Sequence, residues 1–191
     1  MVIEFEDRTP QPRRVPIAAL VVGGIVVVVL AIVVTLLAQK RWSTVKITQE
    51  SMFPTLLHDE FVMVDCAKGQ SYKQNQVVLI TPPDLKGMVV KRIIAVGGQV
   101  VQWKGGVLSV DGGKLVQNEP DQAVLADSPA YKAGMDRADK RVAVGQGKVF
   151  VIGDNWNQSF DSFDYGPIDL SAVKGTVRSV YWPMDKRREI H

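Results

Sequence analysis

A run of 23 residues without a charge, Pro16 to Ala38, limits this chain more than any other feature. It reads Pro-Ile-Ala-Ala-Leu-Val-Val-Gly-Gly-Ile-Val-Val-Val-Val-Leu-Ala-Ile-Val-Val-Thr-Leu-Leu-Ala. At 1.5 Å per residue, a helix of that length spans about 34 Å, slightly more than the ~30 Å hydrocarbon core of a bilayer. A cleavable signal peptide has a shorter apolar core of roughly 7–15 residues. A buried helix of a soluble protein is rarely so uniformly apolar. The run therefore predicts one transmembrane helix over residues 16–38. Residues 1–15 before it are polar and proline-bearing, the composition of a disordered tail. Arg8, Arg13 and Arg14 precede the run and Lys40, Arg41 and Lys46 follow it, so the positive-inside count leaves the orientation open.

About 150 of the 191 residues remain, enough for one domain with a core of its own. The net charge of +3 is small, and no basic patch is interleaved with aromatics, so a nucleic-acid partner is not expected. Cys66 is the single cysteine, which excludes an intrachain disulfide and a cysteine metal cluster. It sits in an apolar strand-like run and reads as a packing residue. The two histidines are His58, seven positions from Ser51, and His191, the last residue. Neither suits a base for Ser51, and His58 has no partner at metal-ligand spacing. No metal or cofactor is expected, and any chemistry has to run without histidine.

From Val45 the pattern turns to β. Glu60–Ala67, Gln76–Thr81, Met88–Val96, Val100–Trp103 and Val107–Val110 are short β-branched runs separated by Gly, Pro, Asp and Asn. Lys104-Gly105-Gly106 and Asp111-Gly112-Gly113 read as hairpin turns. Glu119–Gly147 is polar and weakly periodic, an inserted and partly ordered excursion. β-pattern returns at Lys148–Ile152 and Val173–Trp182, and Asp185–His191 reads as a charged tail.

Three stretches carry candidate chemistry. In Ser51-Met52-Phe53-Pro54-Thr55-Leu56, Pro54 fixes its own φ and pushes Phe53 towards extended backbone, so Ser51 is expected on a stiff turn. Ser-x-x-Pro alone also describes many ordinary turns. In Gly87 to Gly98 a lysine, Lys91, stands inside an apolar strand, with Val89, Lys91 and Ile93 on one face and Val90, Arg92 and Ile94 on the other. Burial disfavours a charged amine, and to act as a base near neutral pH a lysine must fall from ~10.4 to roughly 7–8. A lysine that snorkels from a strand edge is the ordinary alternative. The third stretch, Gly153 to Ile168, is a glycine-bounded loop dense in hydrogen-bonding side chains. It is not a calcium loop: position twelve is Tyr165 counted from Asp154 and Gly166 counted from Asn155, where a bidentate Glu is needed.

In this order the three stretches resemble the type I signal peptidase (leader peptidase) family, membrane-anchored Ser–Lys proteases. Ser51 to Leu56 is similar to the family's nucleophile box, Lys91 to Gly98 to its lysine box, and Gly153-Asp154-Asn155 through Ser159, Asp161, Ser162 and Gly166 to its third box. The resemblance implies Ser51 as nucleophile, with its backbone N–H as an oxyanion donor, and Lys91 as general base. It implies Ser159 as the residue that orients the lysine. Arg92 and Asp154 would form a supporting ion pair, and Asp161 and Ser162 would be structural residues. The implied fold is mainly β: an antiparallel β catalytic domain with a smaller β cap insertion at about residues 98–147, preceded by one N-terminal transmembrane helix. Residues 1–15 would be cytoplasmic, and residues 39–191 an extracytoplasmic peptidase domain at the cell membrane. The implied substrates are preprotein signal peptides, cut after small residues at −3 and −1. The stretches after Trp42 and around Met88 to Val90 are candidates to line the pockets.

Several positions depart from the family pattern. Gly97-Gly98-Gln99 stands where Pro-Gly-Asp is usual, and Trp156 and Phe163 stand where arginines are usual, which removes the expected partner of Asp161. Gln49 takes the place of a serine or glycine and could donate through its amide. Two rival readings are a soluble Ser–Lys autoprotease regulator, which the membrane helix and the missing DNA-binding head oppose, and a tethered, non-catalytic β module.

Overall fold

The uncharged run forms a single helix, α1 (Ile17–Gln39), one residue out of step with the sequence reading. Its side chains from Ile17 to Thr35 are exposed, and this segment is long and apolar enough to cross a membrane. The computed structural model describes residues 16–39, 41–83, 85–114, 138–156 and 158–190. The predicted tail at residues 1–15, residues 119–137 of the polar excursion and His191 lie outside them.

Residues 40–191 form a separate unit whose described residues are organised mainly as antiparallel β-sheet. Its strands are β1 (Trp42–Lys46), β2 (Phe61–Asp65), β3 (Val77–Ile80), β4 (Val89–Val96), β5 (Val100–Lys104), β6 (Val107–Val110), β7 (Gly113–Lys114), β8 (Lys140–Ala143), β9 (Lys148–Ile152), β10 (Ile168–Asp169), β11 (Val173–Trp182) and β12 (Arg188–Glu189). A four-residue helix, α2 (Ser162–Tyr165), lies between β9 and β10. The larger sheet runs β1-β2-β11-β3-β4-β9-β10, with β12 added to β11. The smaller sheet runs β7-β6-β5-β8.

Alternation explains the layering. β3 is buried on both faces, as its unbroken Val-Val-Leu-Ile predicts: Val77 and Leu79 join one apolar cluster, Val78 and Ile80 another. The first cluster also holds Met52 and Leu56 of the Ser51 stretch, so that turn is pinned from below by core side chains. A further cluster links the smaller sheet, through Trp103, Val101 and Leu108, to Phe150 and Ile152 of β9.

The ordered part of the polar excursion includes Lys140–Ala143, which is β8, paired in register with β5. Two readings need correction. The third stretch is not all loop, because Asp161 caps α2 with a capping box, its carboxylate accepting from Phe163 N–H while Asp164 bonds back to Asp161 N–H. The "charged tail" is docked as well. β12 pairs Arg188 with Val180 and Glu189 with Ser179, and Ile190 N–H bonds to Arg178 O at 2.8 Å.

Gly175 of β11 lies where a Cβ would come within 2.5 Å of Asp65 O, so the β2–β11 approach requires glycine there. Beside it the buried Asp65 carboxylate accepts from Arg41 Nε and Nη2, both at 3.2 Å. That hydrogen bonding holds the Asp65 carboxyl below the usual carboxylate range.

Candidate active site

Ser51 begins a tight turn directly after the segment that follows β1. Phe53 N–H bonds to Glu50 O at 3.0 Å and Leu56 N–H to Met52 O at 2.9 Å, which coil the chain at Pro54 without a regular helix. Ser51 is only 7% exposed. Its carbonyl accepts from Asn155 N–H at 3.0 Å, and the Asn155 side-chain amide reaches Glu50 O at 3.1 Å. The third stretch thus grips the Ser51 peptide from both sides. This clamp was missed from sequence, because one of its two bonds is main-chain to main-chain.

Lys91 lies on β4 opposite Val78 of β3, on the face shared with Val89 and Ile93. It is 2% exposed, so it does not snorkel. Lys91 Nζ donates to Ser159 Oγ at 3.0 Å, and the same hydroxyl accepts from Gly153 N–H at 3.0 Å. Ser51 and Lys91 line one cleft, together with Gln49, Glu50, Val89 and Phe160. Ser51 N–H donates to no acceptor among the described residues, so it is available to an oxygen bound in the cleft.

The other predicted residues support this pair. On the far face of β4, Arg92 grips Asp154 with two bonds, Nε–Oδ1 at 2.9 Å and Nη2–Oδ2 at 2.8 Å, and reaches Asn75 O at 2.8 Å. The pair is largely buried and ties β4 to the start of the Ser159 loop. Asp161 is fully buried, and its carboxylate accepts from Gly153 N–H and Phe163 N–H. Asp161 does lack its usual arginine, since Phe163 stands there, and main-chain amides serve in its place. Ser162 Oγ accepts from the buried Val151 N–H at 3.0 Å and holds α2 on β9.

The departures also have places. Trp156 and Phe163 join Trp103 and Phe150 in an edge-to-face aromatic group, with centroids 5.2 Å apart for Trp103–Trp156 and 5.0 Å for Phe150–Phe163. Gln99 closes the β4–β5 turn, its Oε1 accepting from Val96 N–H at 3.0 Å. Gln49 lines the cleft beside Ser51. His58 is exposed and paired with Asp59 at 3.2 Å. Tyr165 is packed against the β9–β10 side, and burial pushes its phenol well above the usual range.

A second depression meets Ser51 from the other side. It is lined by Val45, Ile47, Thr48 and Gln49 along one wall and by Met88, Val89 and Val90 along the other. β1 is an end strand of its sheet, and Val89 and Val90 pair with β3 alone, since β9 joins β4 only from Arg92. Both walls therefore offer open main-chain edges to an extended peptide.

A buried lysine beside a serine, on a β scaffold, with no histidine near it among the described residues, belongs to the serine–lysine class of hydrolases. The sequence model of the family "Signal peptidase, peptidase S26" matches residues 19–182. A signal peptidase I from Bacillus licheniformis is 33% identical over 145 residues, 73% of this chain and 76% of that protein. One from Leptolyngbya laminosa is 26% identical over 177 residues, 87% of this chain and 80% of that protein. A crystal structure of a signal peptidase I from Enterococcus faecalis covers 56% of this chain and 97% of its own, with a TM-score of 0.47 and 22% identity. The chain belongs to the signal peptidase family, peptidase S26.

Proposed function

We propose that this protein is a membrane-anchored signal peptidase I that cuts N-terminal signal peptides from exported preproteins, with Ser51 as nucleophile and Lys91 as general base. The observation that carries this reading is the burial of Lys91 in the cleft it shares with Ser51. A dry, apolar surrounding favours the uncharged amine, which can accept a proton. Ser51 Oγ attacks the scissile carbonyl carbon, and its proton passes to Lys91 Nζ. The oxyanion that forms is met by Ser51 N–H. Collapse breaks the C–N bond, and Lys91 returns the proton to the departing amine. Water, deprotonated by Lys91, then attacks the Ser51 ester, and Lys91 returns that proton to Ser51 Oγ as the C–O bond breaks and the acid leaves. Ser159, itself fixed by Gly153 N–H, keeps the amine aimed through these steps.

The substrate lies extended between the edge after β1 and the start of β4. Ile47, Met88 and Val90 leave room for small side chains and exclude large ones, which suits residues −3 and −1 of a signal peptide. The helix anchors the chain, with residues 1–15 cytoplasmic and residues 39–191 outside, where exported chains emerge. The smaller sheet, β5 to β8, is the cap on the catalytic domain.

The test is cleavage of a preprotein with an Ala-x-Ala junction by the full chain in detergent. Wild type is expected to release the signal peptide, and Ser51→Ala to lose cleavage by at least about 10³-fold. Equal processing by both would leave only a tethered binding module.

A further inference from the structure

The turn that carries Ser51 is held at its far end by the docked C-terminal segment, a contact the mechanism above does not use. Arg188, on β12, donates Nη1 to Glu60 Oε1 at 2.8 Å and Nη2 to Glu60 Oε2 at 2.7 Å. The same Nη2 reaches Thr55 O at 2.7 Å. Glu60 is 1% exposed, and its Oε2 also accepts from Leu57 N–H at 2.9 Å. The two charged groups thus hold one carbonyl and one amide of the turn, four and six residues beyond Ser51. The main chain of Glu60 extends the link, because its carbonyl accepts from Ile47 N–H at 2.8 Å, on the wall of the substrate depression. At its near end the turn is fixed by Asn155. Removing the distal fixture leaves the turn held by Asn155 at its near end and by the core packing of Met52 and Leu56, with Thr55 O and Leu57 N–H released.

We infer that Arg188, acting through Glu60, is a positioning residue for the nucleophile turn: it touches no reacting atom, and it sets where Ser51 Oγ points. The inference rests on the reading of Ser51 as nucleophile. A salt bridge kept only for stability could be replaced by apolar residues of similar size with little loss. A positioning pair could not, because no apolar side chain bonds Thr55 O or Leu57 N–H.

Two variants separate the roles. Arg188→Lys keeps a cation beside the buried carboxylate, but its stem is one atom shorter than that of arginine, so its ammonium does not reach both Glu60 and Thr55 O as Nη2 does. The double variant Glu60→Leu/Arg188→Met removes both charges together. Kinetics on a signal-peptide substrate and amide hydrogen exchange are measured on the full chain in detergent. Arg188→Lys is expected to lower kcat about tenfold, and the double variant about 10- to 100-fold, with KM little changed. Exchange is expected to quicken across residues 51–57 while β3, β4 and β9 keep their protection. Unchanged exchange at 51–57 together with wild-type kcat in Arg188→Lys would overturn the inference. So would recovery of both kcat and 51–57 protection in the double variant. If the double variant does not fold, Arg188→Lys alone decides. A wild-type protein that fails to cleave would sink the proposed function instead, and the exchange data would still decide whether Arg188 fixes the turn.

Discussion

Replacing Lys91 with methionine is expected to leave a folded protein that cleaves preprotein at least about 10³-fold more slowly than wild type. Methionine matches the length of the lysine stem, so the β4 face beside Val89 and Ile93 stays filled. Ser159 Oγ keeps its bond from Gly153 N–H and is not stranded. What is lost is the proton acceptor. A positioned base contributes about 10²–10⁴ on its own, and an unactivated serine is a poor nucleophile at neutral pH. The rate of signal-peptide release, followed over hours beside a thermal melt, checks both parts. A melt like wild type with cleavage within tenfold would remove Lys91 from the mechanism.

Gly153→Ala is expected to damage the site almost as severely through one methyl group. A Cβ at residue 153 would stand 2.3 Å from Ser51 O and 2.4 Å from Ser159 Oγ. The first atom is main chain and already accepts from Asn155 N–H, so it cannot swing aside. The second is the oxygen that aims Lys91. Either the nucleophile turn or the lysine-orienting serine has to move. A displacement near 1 Å lowers kcat on the order of 10²-fold, and overpacking of this kind costs about 1–3 kcal/mol of stability. Steady-state cleavage and a urea melt measure the two effects. Wild-type kcat in Gly153→Ala would mean that the nucleophile, Gly153 and Ser159 are not in the contact described.

The sequence was informative where side chains alone decide the outcome. Lys91 is flanked on both strand faces by β-branched residues, a pattern that allowed burial but left snorkelling open, and its 2% exposure decides between them. The paired glycines and the alternating runs marked the hairpins of the smaller sheet. Features held by main-chain bonds or by distant partners were hidden. β8 is Lys-Arg-Val-Ala and mostly exposed, so only its ladder with β5 makes it a strand. Arg188 looked like one charge in a terminal run, because its carboxylate partner is 128 residues away. The partners of Asp161 are amides, which no residue pattern displays. The capping box at Asp161 and Asp164 was legible, acidic residues at helix-start spacing, yet the stretch was read as a loop.

Everything proposed for catalysis requires the amine at position 91 to be uncharged at working pH. The most direct measurement is the 13C shift of Lys91 Cε, followed by NMR against pH in the Ser51→Ala variant, which binds substrate without consuming it. The amine is predicted to lose its proton at a pH well below that of ordinary exposed lysines, because burial disfavours the charged form. Titration in step with ordinary exposed lysines, near ~10.4, would contradict the account.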